Sequence, residues 1–137
     1  MYLTKSDLEK RAYPEILAVL ARNDSVVETA IQEAVEEVRT YLTARYDMQA
    51  EFAKSGVSRN VMVVKLVRDI AIWNIYTGSN PVNMSETRES NYNSTIKLLQ
   101  KIQAEKATIE GLQRKDAATQ SSNYIQFKSN PKRKNHY

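Results

Sequence analysis

A mainly α-helical fold is what this 137-residue chain predicts: a small bundle of three long helices, one or two short N-terminal helices before it and an extended C-terminal arm after it. Three observations lead there. Glycine and proline number three each, too few to punctuate a β-sandwich. Apolar residues recur at helical spacing through three separate segments. The basic charge, finally, is collected at one end. Met1 to Leu112 holds fourteen Lys/Arg against fifteen Asp/Glu, whereas Gln113 to Tyr137 holds six against one. The length suits one domain with one modest core, so the chain divides into a helical domain, 1–112, and a basic arm, 113–137.

The first element is predicted from about Lys5 to Arg11, because Thr4 with Asp7 three residues on forms an N-cap pattern before Leu8 and Ala12. Pro14 suits the first turn of a second short helix carrying Ile16, Leu17, Val19 and Leu20. The first long helix then follows a Ser25–Glu28 capping box, with apolar residues at Val27, Ala30, Ile31, Ala34, Val35, Val38, Tyr41, Leu42 and Tyr46. Its opposite face, Glu28, Gln32, Glu33, Glu36, Glu37 and Arg39, is mostly acidic and reads as solvated, with a basic partner surface as the alternative. Asp47 to Gly56 loses the period and is expected to be a connecting loop folded over the core through Met48 and Phe52.

The second long helix, about Arg59 to Thr77, is expected to be capped by Ser58 or Asn60 and stopped by "TGSNP". At 100° per residue, Val63, Leu66, Val67, Ile70, Trp73, Asn74 and Thr77 share one face. Lys65, Arg68, Asp69, Ile72, Ile75 and Tyr76 share the other, charged in its first half and apolar in its second. That apolar half needs a second surface, and Ile72, Ile75 and Tyr76 are the residues expected at a subunit interface. Asn74, on the core face, is expected to be a buried polar group that fixes helix register, since an unsatisfied amide there would cost ~1 to 3 kcal/mol. The third long helix, about Ser85 to Lys106, carries Tyr92, Ile96, Leu99 and Ile102 as its stripe; Gly111 ends it or opens a short extended piece with Ile109 and Leu112.

Little in the chain suits catalysis. Cysteine is absent, which removes disulfides, thiolate nucleophiles and Cys-ligated metals together. His136 is the only histidine and lies on the arm, where a catalytic group would lack rigid support. No phosphate loop, dinucleotide, zincin or hydrolase motif occurs. The expectation is therefore a non-enzymatic protein with no cofactor, metal or catalytic residues. The N-terminus has no apolar signal core, and no run approaches the ~18 apolar residues of a membrane span, so neither export nor membrane insertion is expected. On the arm, Tyr124, Ile125 and Phe127 could seat an extended strand on a neighbour, while Lys132, Arg133 and Lys134 could meet acidic surface or, nonspecifically, DNA.

The succession "MYLTKSDLEKR", "AIQEAVEEVRTYLTARYD", "VVKLVRDIAIWNIYTG" and "RESNYNSTIKLLQKIQAEKATIEGL" resembles Mu-like prophage proteins of the tailed-phage head-to-tail connector (adaptor or neck) superfamily. The likeness covers about Met1 to Leu112. It implies a virion structural protein in the neck, made in the host cytoplasm: a small helical bundle assembling as a ring, typically of twelve subunits, beneath the portal protein. Partners so implied are further copies of itself, the portal, and other neck or tail proteins. The long basic arm departs from shorter relatives, which stop soon after "IEGL". A neck stopper or tail-completion protein is the neighbouring alternative, and a nucleic-acid-binding helical regulator using the basic tail is the rival from another class.

Overall fold

The structure, a computed structural model, describes residues 1–10, 24–79 and 86–115. Among these residues the regular structure is five α-helices and one 3-10 turn, with no strand beyond a single β-bridge. Helix α1 spans Lys5–Glu9, α2 Asp24–Leu42, α3 Met48–Phe52, α4 Val61–Ser79 and α5 Glu86–Gln103. The mainly α class expected from the sequence is what is found, with three long helices packed together. Helix α2 lies most extensively against α4, and α5 packs on both.

Each helix begins for a local reason. At α1 the Asp7 backbone N–H donates to Thr4 Oγ1 at 3.3 Å, and the Thr4 N–H donates to Asp7 Oδ2 at 3.0 Å, so two orphan donors are satisfied reciprocally. Helix α2 starts at Asp24, which places Ser25 inside its first turn rather than before it; the Ser25–Glu28 pair is not the cap. Lys5 instead reaches across from α1 to pair with Asp24 at 2.8 Å. Asn60, one of the two expected candidates, caps α4, its Oδ1 accepting from the N–H groups of Met62 at 3.0 Å and Val63 at 3.2 Å. Helix α4 runs through Gly78 to Ser79, ending inside the expected "TGSNP" stop and two residues beyond Thr77.

Asp47 to Gly56 is more ordered than its composition implies. Asp47 caps a five-residue helix by accepting from the Ala50 N–H at 3.1 Å, and that helix buries Met48 and Glu51. A helix this short has too few positions to display a period, so the turn is set by its cap and its burial.

The core is built where the stripes meet: Val27, Ile31, Ala34, Val38 and Leu42 from α2, Val63, Leu66, Val67, Ile70 and Ile75 from α4, Leu99 and Ile102 from α5. Burying each large side chain contributes roughly 1.5 to 3 kcal/mol. Tyr92 and Ile96 of the predicted α5 stripe pack only partly against it, while Thr95 and Arg88, absent from that stripe, are buried.

Helix α5 ends in a Schellman motif. The Lys106 N–H donates to the Lys101 carbonyl at 2.8 Å and the Glu105 N–H to that of Ile102 at 3.1 Å, with Glu105 at φ 65° in the left-handed position usually given to glycine. The following chain turns back across the corner after α2. Asp47 N–H donates to the Gln113 carbonyl at 2.9 Å and Lys115 N–H to that of Arg45 at 3.0 Å, making a one-residue bridge between Tyr46 and Arg114. Ile109 and Leu112 are buried beneath it, and the Ile109 N–H donates to the Tyr46 hydroxyl at 3.0 Å. Backbone pairing thus carries the folded part past Leu112 to Lys115. The expected Pro14 helix, His136 and the arm residues Tyr124, Ile125, Phe127, Lys132, Arg133 and Lys134 lie outside the described residues.

Candidate interaction surfaces

The apolar second face expected on α4 finds its cover within the same chain. Ile75 is 0 % exposed and Tyr76 is buried, while Ile72 is half-buried against the core. Tyr76 carries the buried Arg88 guanidinium of α5 over its ring at 4.4 Å. Ile75 and Tyr76 are therefore core residues in this fold and do not offer themselves to a second subunit. Asn74 is half-buried rather than buried; its Nδ2 donates to the Ala30 carbonyl of α2 at 3.4 Å, a long contact between mid-helix positions. Trp73, its neighbour, stacks on Tyr92 with ring centroids 4.8 Å apart.

The other end of α4 holds a polar corner. Glu51, 2 % exposed, accepts through Oε2 from the Tyr2 hydroxyl at 2.6 Å and from the Asn60 N–H at 2.7 Å, while Lys54 pairs with its other oxygen at 3.1 Å. Arg59, immediately before the α4 cap, donates from Nη1 to Asp7 Oδ2 at 2.8 Å and to the Tyr2 carbonyl at 2.7 Å, and from Nε to the Gly56 carbonyl at 2.7 Å. The N-terminal segment and the turn at Gly56 are thereby fixed to one guanidinium. Burial pushes the Asp7 carboxyl up, but the Arg59 hydrogen bond, the Thr4 backbone and hydroxyl, and the Arg59 charge overcome it and hold Asp7 at about 2. Burial, then the Glu51 hydrogen bond and charge, push the Tyr2 phenol far above its ordinary value. At neutral pH Asp7 is therefore ionised and the Tyr2 phenol keeps its proton, the states their hydrogen bonds to Arg59 and Glu51 require.

Beside this latch opens a cleft of about 760 Å³, lined on one side by Met1, Tyr2, Thr4, Asp7 and Lys10, and on the other by Ser55–Val57, Arg59 and the Val61, Val64, Lys65 and Arg68 face of α4. Its apolar side chains face water: Val57 is 106 % exposed, Val61 83 % and Met1 65 %. Such a cluster around a concavity is what distinguishes a contact surface from scattered surface apolars. Lys10, Lys65 and Arg68 give it a cationic rim. Lys65 is held by Asp69 at 3.1 Å, one turn along the same helix.

A second surface lies on the outer face of α2, where Glu28, Gln32, Glu33 and Glu36 are exposed. Next to it Ser25, Val26, Thr29, Ala30, Glu33 and Asn74 line a shallow cleft of about 230 Å³. Among the described residues no group of His, Cys, Asp or Glu could hold a metal ion, and no helix is long and apolar enough to cross a membrane.

Sequence reasoning missed the first of these surfaces. Its partners lie far apart in the chain, Arg59 from Asp7 and Glu51 from Tyr2, so no local period reports them. The one available signal was Val57, a β-branched residue in the otherwise polar run "KSGVSRN".

No curated protein and no solved structure matches the chain. Residues 2–128 match the family described as bacteriophage Mu, Gp36. That span takes in all five helices and the paired segment after them, and by it the chain belongs to the bacteriophage Mu Gp36 family.

Proposed function

We propose that this phage-family protein is a virion structural protein, a head-to-tail connector (adaptor) subunit that forms a closed ring between portal and tail and catalyses no reaction. Membership of the Mu Gp36 family supports a phage role. The observation that carries the finer reading is the open cleft at the start of α4, where Met1, Val57 and Val61 expose apolar surface around a folded monomer. A subunit of a ring needs two contact faces for its own copies and another for its neighbours. A ring of twelve is the stoichiometry that the connector likeness implies. The same reading places the protein in the virion neck, with portal and tail proteins as partners.

The test is the mass of the purified protein alone and mixed with its cognate portal, followed by electron microscopy of particles. A ring of defined mass seated on the portal is expected. A chain that remains monomeric with the portal, and is absent from the neck of particles, overturns the reading; a ring found one level below supports the stopper alternative. The excess of basic residues from Gln113 to Tyr137 favours one second reading, nucleic-acid binding. Salt separates the two. Phosphate binding weakens steeply from 50 to 200 mM salt, by ~10³-fold for about six contacts, whereas an apolar ring contact persists.

A further inference from the structure

We infer that the cleft at the start of α4 receives the acidic outer face of α2 from a second copy of this chain, in a head-to-tail contact. The inference rests on the reading of the chain as a self-assembling subunit and names the two faces that meet. Each face exposes apolar side chains beside charged ones, and the charge in excess differs in sign between them. The cleft exposes Val57 and Val61 inside a rim where Lys10, Arg59, Lys65 and Arg68 outnumber the acids beside them, Asp7 and the Asp69 that pairs with Lys65. The α2 face exposes Val26 at 38 % on the side that carries Glu33, with Glu36 about a turn further along the helix. Charge then decides how copies can meet. Cleft on cleft would oppose lysine to lysine, and α2 on α2 would oppose glutamate to glutamate. Both isologous arrangements set like charges together as water is excluded. Cleft on α2 pairs opposite charges and covers the apolar residues of both. Because the two patches differ, the contact is heterologous and propagates from copy to copy, which yields a ring if the rotation closes.

The chain contains no cysteine, so introduced thiols report position without interference. Full-length V57C and V26C, mixed under mild oxidation, should form a disulfide heterodimer well above the yield of V57C alone or of V57C with S94C, an exposed position on α5. Charge reversal gives an independent readout by sedimentation. K10E with K65E, or E33K with E36K, should each weaken association about tenfold, and a chain carrying all four should recover most of it. Circular dichroism of each variant verifies the fold. If the wild-type chain assembles but V57C and V26C do not cross-link above control, or the fourfold variant fails to recover, the cleft–α2 contact is wrong and the ring reading stands. If the wild-type chain shows no self-association at any concentration or on the portal, both fall.

Discussion

The two halves of α4 are built on opposite plans. Its C-terminal half is apolar on nearly every side and closed, with Ile70, Ala71, Ile75 and Tyr76 buried. Its N-terminal half buries Val63, Leu66 and Val67 on one side and on the other leaves Val61 and Met62 open to water beside a cationic rim. The first half is tied down by polar groups, through Asn60, Arg59 and Glu51; the second is held by apolar packing and by α5. The comparison teaches that an apolar residue away from the main stripe identifies an unmet need for cover without saying who supplies it. In the closed half the chain supplies its own. In the open half none of the described residues does.

Substitution in the two halves should separate them sharply. Ile75→Asp places a charge in a fully enclosed site and should abolish cooperative folding, an effect on the order of 4 kcal/mol or more. The same change at Val61 should alter the thermal midpoint by no more than the equivalent of about 0.5 kcal/mol. Equal destabilisation at both positions would erase the distinction. A smaller loss, about 2 to 4 kcal/mol in urea unfolding, is expected for Arg59→Ala, which leaves Asp7 buried without its guanidinium.

Acid acts on the same pair. Asp7 is held at about 2 in the fold against an ordinary value of 3.8, so its contribution is complete above pH ~4 and is lost as pH falls toward 2. The wild-type chain should therefore lose stability across that window more steeply than Asp7→Asn, and parallel pH profiles would remove Asp7 from the latch. Smallest of all, Glu105→Gly should stabilise the end of α5 by about 0.5 to 1 kcal/mol, since φ 65° costs glycine nothing. Neither half of α4 should respond to it.

What was legible in the sequence was what is local. The Thr4–Asp7 box needs only a three-residue spacing and appears as read, and the α2 stripe from Val27 to Leu42 follows from its period. The α2 boundary was less legible: the regular helix stops at Leu42, and Tyr46 reaches the core by a turn and is held by the Ile109 amide. Ile75 and Tyr76 were misassigned to an interface because a helical wheel counts one buried side, and this helix has more than one by its second half. Arg88 looks like a surface residue in sequence; only the approach of α5 to α4 sets it over Tyr76. The cleft was illegible for the same reason, being assembled by the N-terminal segment, the Gly56–Ser58 turn and α4 together.

The bridge between Tyr46 and Arg114 has a mechanical consequence. The segment after α5 is fastened to the corner between α2 and α3 by two backbone hydrogen bonds, with Arg45 also grasping the carbonyls of Ile102 and Ala107 at 2.6 and 2.9 Å. Tension applied to the chain beyond Lys115 would enter the bundle at this corner, near its middle in sequence, before it could peel α5 away from its last turn. The fold would bear such a load at a clasp set between its first and last long helices.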